Sequence, residues 1–135
     1  AYKAILLAWL ITIYITAFTK YTSLICGLGI KAGAGLAAGF GYLLSDGNVS
    51  VIENSIINHL ATITGMICDG AKPSCALKGM IGVITAFESA KLASKGGVVN
   101  YAEGILGKDI KDTLSRLGKL VRGMSSLKSI ILEIL

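Results

Sequence analysis

Ser50-Val51-Ile52-Glu53-Asn54-Ser55-Ile56-Ile57-Asn58-His59-Leu60-Ala61-Thr62-Ile63-Thr64-Gly65 is the stretch whose reading decides the fold. Ile52, Ile56, Leu60 and Ile63 recur at steps of three and four, so an α-helix lines them up on one apolar stripe. Ser50 and Glu53 have the spacing of a capping box, in which the serine oxygen takes the third free amide and the glutamate reaches back. Ser45-Asp46-Gly47-Asn48 ahead of them is a turn, and Gly65 can end the helix.

The same period recurs on either side. Residues 2–19 read as a helix that is apolar nearly all round, hence buried. Tyr21–Ser23 is a polar break, followed by Cys26-Gly27 and a Gly/Ala-rich stretch to Tyr42, in which Gly33, Gly35 and Gly39 leave one side nearly bare. A further helix is expected from about Cys75 to Ala93, with Leu77, Ile81, Ile84 and Glu88 in register, ending at Gly96-Gly97. Asp109 caps another, with Ile110, Leu114, Leu117 and Val121 at helical spacing. Leu127, Ile130, Ile131 and Ile134 mark a short last one. No strand-like alternation persists. The expectation is an all-α, compact bundle of about five to six helices, forming one domain over residues 1–135.

Of the 135 residues 53% are hydrophobic and only 16% charged, with mean hydropathy +0.71. Such a chain buries its surface in a core, a partner or a membrane. The uncharged run Ala4–Phe18 covers fifteen residues, short of the ~20 a bilayer span needs, and Lys3 and Lys20 close it off, so a membrane role is not expected. The net charge of +5 is spread along the chain without a basic run, which excludes a nucleic-acid footprint. The chain starts at Ala1 inside an apolar helix with no secretory pattern before it, and reads as the C-terminal part of a longer catalytic chain.

Chemistry concentrates at three cysteines. Cys68 and Cys75 bracket Cys68-Asp69-Gly70-Ala71-Lys72-Pro73-Ser74-Cys75, a turn-forming loop between helices, and Cys26 lies far upstream. An odd number without a secretory signal argues against a disulfide framework. Cys75 follows Pro73-Ser74 at a helix start, where free amides favour a thiolate. The spacing alone fits either a metal site or buried free thiols.

The run Thr64–Lys78, containing that loop, resembles the signature loop of the iron–sulfur-dependent serine dehydratase alpha-like family that includes L-cysteine desulfidase. Thr12-Ile13-Tyr14, Leu24-Ile25-Cys26-Gly27 and Ala32–Gly39 upstream are similar to helical stretches of that family. Glu103-Gly104-Ile105, Leu117-Gly118 and Gly123-Met124 follow in the same order downstream. The resemblance covers essentially the whole chain as the C-terminal third or so of a longer family member. It implies a [4Fe–4S] cluster on Cys26, Cys68 and Cys75, with one iron lacking a protein ligand. That iron would act as a Lewis acid on the β-thiol or β-hydroxyl of an amino-acid substrate.

Further roles follow from that resemblance. Asp69 and Gly70 shape the ligand loop, and Lys72 is a weak catalytic candidate that could offset charge on cluster or substrate, or merely be a solvated loop charge. Gly33 and Gly35 let cluster or substrate approach, or let helices pack. A hydroxyl residue is expected where Ala34 stands. The lone His59 reads as a satisfied, partly buried side chain rather than a base. The six-residue gap between Cys68 and Cys75 favours the desulfidase branch, cysteine going to pyruvate, ammonia and sulfide, over serine dehydration. The competing classes are a structural zinc site of Cys26, His59, Cys68 and Cys75, and a non-catalytic helical membrane or interaction protein. The expected partners are an amino-acid substrate, the N-terminal part of the same protein and further copies of it, in a reducing cytoplasm. The fragment alone should be inactive.

Overall fold

The structure, a computed structural model, describes residues 1–134. Six α-helices follow one another: α1 (Tyr2–Thr19), α2 (Gly33–Ser45), α3 (Val49–Ile63), α4 (Cys75–Ser94), α5 (Ile110–Gly123) and α6 (Ser125–Ile134). A π-helical turn, Gly27–Ala32, runs directly into α2. There is no strand among the described residues, so the all-α expectation holds, with the glycine-rich stretch divided between a π turn and a helix.

Helix α2 is the hub. It packs on α1, α3 and α4, and small residues make this possible. A side chain at Gly35 would overlap Ala8 O and Thr12 Oγ1 of α1, and one at Gly41 would meet Ser55 of α3. Gly82 of α4 lies so close to the π turn that a Cβ there would stand 3.0 Å from Gly29 Cα. The core proper forms beside this hub, where Ile15, Ile25, Ile30, Ile56, Leu60, Leu114 and Leu117 pack together. The stripes predicted on α3 and α5 supply four of these.

Two helices differ in burial from the sequence reading, which had α1 buried nearly all round and Leu77, Ile81 and Ile84 as the stripe of α4. Helix α1 is covered on one side only: Ala4, Ile15 and Thr19 are buried, whereas Ile5, Leu6, Trp9, Leu10 and Ile13 are all more than half exposed. Its threonines are accommodated because Thr12, Thr16 and Thr19 each donate to the carbonyl four residues back. On α4 the buried face is Gly82, Ala86, Ser89, Ala90 and Ala93, while Leu77, Ile81 and Ile84 point outward. Against a glycine–alanine helix the small face packs closer than the large one, and this reverses the simple rule. By length and apolarity α1 and Gly27–Ser45 would each suffice to cross a membrane, a test that core helices also meet, and the second is more than half buried within the bundle.

Helix ends show a second class of difference. Asn48, not Ser50, caps α3: its Oδ1 accepts from the Ser50 and Val51 amides at 3.0 and 3.4 Å. The turn places Asp46 and Gly47 at positive φ (51° and 86°), and this brings Asn48 to the cap, so the capping-box reading was two residues late. Helix α3 stops at Ile63 without a left-handed glycine at Gly65. Asp109 caps α5 as predicted, accepting from the Asp112 amide at 2.7 Å.

Candidate functional site

Between α1 and the π turn the chain is extended, and so is the segment after α3. The two meet in an antiparallel bridge at Ile25 and Ile67. Cys26 N donates to Met66 O at 2.9 Å, and Cys68 N donates to Leu24 O at 2.7 Å. Two cysteines 42 positions apart are thereby brought to diagonal positions across one bridge, through backbone alone. Cys26 also caps the π turn, its Sγ accepting from the Gly29 amide at 3.3 Å.

Cys75 arrives from a third direction. It is the first residue of α4, and the Gly82–Gly29 contact presses that helix against the π turn. Its Sγ stands 3.6 Å from Gly70 O, a donor–acceptor contact made possible because Gly70 adopts φ 95°. All three thiols are free, Cys26 buried and the other two partly so.

Charge around the thiols is positive. Asp69 is gripped by Lys72 and Lys78, and the Lys72 bond first, then that of Lys78, holds its carboxyl below the usual carboxylate range. Lys78 also donates to Ile67 O at 2.8 Å. Its ammonium is stabilised first by Asp69, and further by the nearby Cys26 and Cys75 sulfurs. Lys31 is only 4% exposed, yet it forms no ion pair among the described residues: its Nζ donates to Lys20 O at 2.6 Å, completing the C-terminal end of α1. Burial pushes the Lys31 ammonium down, and a thiolate at Cys68 opposes that shift. Every thiol therefore lies within electrostatic reach of a lysine. Sequence reasoning missed Lys31 and Lys78 as site residues. Their signal was positional: Lys78 is one helical turn after Cys75, and Lys31 lies within the turn that Cys26 caps.

His59 is fully buried on α3, with Nε2 2.9 Å from Gly29 O and Nδ1 without a hydrogen-bond partner. Burial lowers its pKa, against the opposing effect of the Gly29 and Ile30 carbonyls, so the ring is neutral and Nε2–H is the donor. The ring is thus buttressed against the π turn rather than aimed at the cysteine loop. Gly33 faces His59, since a Cβ there would stand 2.5 Å from Nε2, and Gly35 faces α1. Both glycines sit at helix contacts. The glycines that bring the cysteine segments together are Gly29 and Gly82. Ala34 is wholly buried in the core.

Among the described residues no three His, Cys, Asp or Glu side chains converge on one point as a single metal ion demands. The zinc set with His59 is therefore not assembled; tetrahedral zinc would bring its sulfurs to about 3.8 Å from one another. An iron–sulfur cluster sets a looser condition, because each thiolate takes a different iron. Three free thiols from two bridged segments and one helix start, flanked by two ammonium groups, fit that donor set.

Residues 1–133 match the family of the serine dehydratase alpha chain, and the match includes every element of the site. The chain belongs to the serine dehydratase alpha chain family. It is 41% identical over 131 residues to a UPF0597 protein of Thermosipho africanus, covering 97% of this chain and 32% of that protein. It is 40% identical over 134 residues to UPF0597 proteins of Caldanaerobacter subterraneus subsp. tengcongensis and Clostridium tetani, in each case 98% of this chain and 31% of the relative. The family chain described here thus spans about a third of the length of these curated relatives. No solved structure matches it.

Proposed function

We propose that this chain is the cluster-holding part of an iron–sulfur-dependent amino-acid lyase, acting on L-cysteine to give pyruvate, ammonia and sulfide. The observation that carries the reading is the Ile25–Ile67 bridge, which joins the Cys26 and Cys68 segments with no side chain needed to do so. Membership of a dehydratase family supports the reaction class.

Cys26, Cys68 and Cys75 would hold a [4Fe–4S] cluster. When bound, it would supply a Lewis-acidic iron without a protein ligand, able to polarise the β-substituent of the substrate. The protein's part is to orient and to balance charge. Gly29 N–H already points at the Cys26 sulfur, and the start of α4 presents Cys75 where helix amides favour anionic sulfur. Lys78 and Lys31 offset negative charge on three thiolates, and Asp69 fixes Lys78 in that position. Lys72, on the far side of Asp69 and 40% exposed, serves the loop and not the reacting atoms. Net elimination of H and SH across Cα–Cβ of cysteine leaves an aminoacrylate, which takes up water to give pyruvate and ammonia. The remainder of a longer protein would complete the pocket, in a homo-oligomer working in a reducing cytoplasm that spares the thiolates.

The test is anaerobic purification of the full-length protein, with iron and acid-labile sulfide assays and separate quantitation of sulfide and pyruvate. Visible absorbance lost in Cys26→Ser, Cys68→Ser and Cys75→Ser variants, and sulfide equal to pyruvate from L-cysteine, is the expected result. Pyruvate from L-serine with negligible turnover of cysteine would convert the assignment to a serine dehydratase. Protein free of iron after reconstitution would overturn it.

A further inference from the structure

A cleft of about 490 Å³ opens beside Cys68, between the extended segment after α1 and helices α5 and α6. Lys20, Arg122 and Lys128 stand on its walls, and no acidic side chain does among the described residues. None of the three cations forms an ion pair among the described residues. Thr22 adds a hydroxyl to the wall. Ser23, also on the wall, has its Oγ buried without a hydrogen-bond partner among the described residues.

A buried hydroxyl without a partner is costly, and cations gathered without a counter-ion repel one another. Both features persist most simply where a ligand supplies the missing acceptor. We propose that this cleft is the anion subsite that takes the α-carboxylate of the amino-acid substrate. Arg122 and Lys128 are its principal charges, and Ser23 donates a hydrogen bond. The proposal rests on the lyase reading for the identity of the ligand. Cys68 forms part of the same wall, so a substrate whose carboxylate sits in the cleft lies beside that cysteine, and its β-carbon is only two bonds from the carboxylate. A guanidinium suits this task because its planar fork matches a carboxylate.

The test uses full-length protein prepared anaerobically, as wild type and as an Arg122→Gln/Lys128→Gln variant. Both side chains are exposed, so folding is not at stake, and Arg122→Lys serves as a charge-preserving control. The probes are L-alanine, which lacks a leaving group, its amide L-alaninamide, and inorganic phosphate, each read by thermal shift. L-Cysteine turnover is measured in parallel. Alanine should bind the wild type and the amide should not. The double variant should bind alanine at least about tenfold more weakly and show a KM raised about as much, with iron content unchanged and Arg122→Lys intermediate.

Alanine and its amide binding alike, or a variant with wild-type affinity and KM, would overturn the subsite while leaving the lyase intact. A wild type that turns over no amino acid, yet binds alanine through Arg122 and Lys128, would sink the lyase reading and keep the carboxylate site. Tighter binding of phosphate than of alanine, lost in the same variant, would overturn the carboxylate assignment in favour of a phosphate ligand.

Discussion

His59 shows how one buried side chain can hold a turn. Its ring fills the space left by Gly33 and donates to the Gly29 carbonyl, inside the π turn that Cys26 caps. Because burial lowers its pKa below 6.5, the native state binds its proton later than the unfolded chain does. Stability is then complete above about pH 6.5, falls as pH drops through that value, and levels off once the native ring itself protonates. Melting temperatures recorded from pH 8 to pH 5 should show this loss. A His59→Gln variant, less stable throughout, should lose the part of the slope that sets in as pH falls below about 6.5; an unchanged slope would mean that another group carries it.

The Asp69 clasp makes a second forecast at the same scale. Lys72 is an exposed partner, and replacing it with alanine should cost no more than about 0.5 kcal/mol and leave iron retention intact. Lys78 also holds Ile67 O and faces two thiols, so Lys78→Ala should lower iron retained after desalting by at least half. Equal retention in the two variants would show that Lys78 has no special relation to the sulfurs.

At the scale of elements, glycines decide how closely the helices approach. Gly82→Ala would push a Cβ to 3.0 Å from Gly29 Cα and 3.2 Å from Leu28 O, and backbone cannot move aside as a side chain can. The expected loss is about 1–3 kcal/mol, with weaker iron binding, since α4 carries Cys75. Gly65→Ala meets nothing within 4 Å and has no positive φ, so it should change stability by less than about 0.5 kcal/mol. Chemical denaturation of both variants checks the contrast, and similar losses would refute the packing argument. Sequence periodicity made α3 and α5 legible, because each buries one large apolar stripe. It misread α4, where Leu77, Ile81 and Ile84 formed the obvious stripe but the glycine–alanine face packs. Periodicity reports that a helix has two faces; the partner's side-chain size determines which of them is buried.

For the whole molecule, the thiols could be named from sequence, but their assembly could not. Nothing in Leu24-Ile25-Cys26 or Met66-Ile67-Cys68 announces a bridge between them, since a single ladder step has no periodic signal. The burial of Lys31 likewise has no signal in the sequence, because only the fold brings the end of α1 to it. The apolar composition was legible as a need for cover, and the structure locates that need on α1 and α4. Leu6, Trp9, Leu10 and Ile13 on one helix, and Leu77, Met80 and Ile84 on the other, are all more than half exposed. Faces of that kind are covered in a working protein. Trp9 is the chain's only tryptophan, so it reports directly on whether α1 is covered. In full-length protein, the fluorescence difference between wild type and Trp9→Phe should be blue-shifted and resistant to iodide. In residues 1–135 expressed alone at high dilution, Trp9 should emit as a water-exposed indole and quench readily. As concentration rises, protection should return, because a second copy offers the same apolar face. Ready quenching in the full-length protein would mean that α1 stays bare, and the cover would then have to be sought on α4.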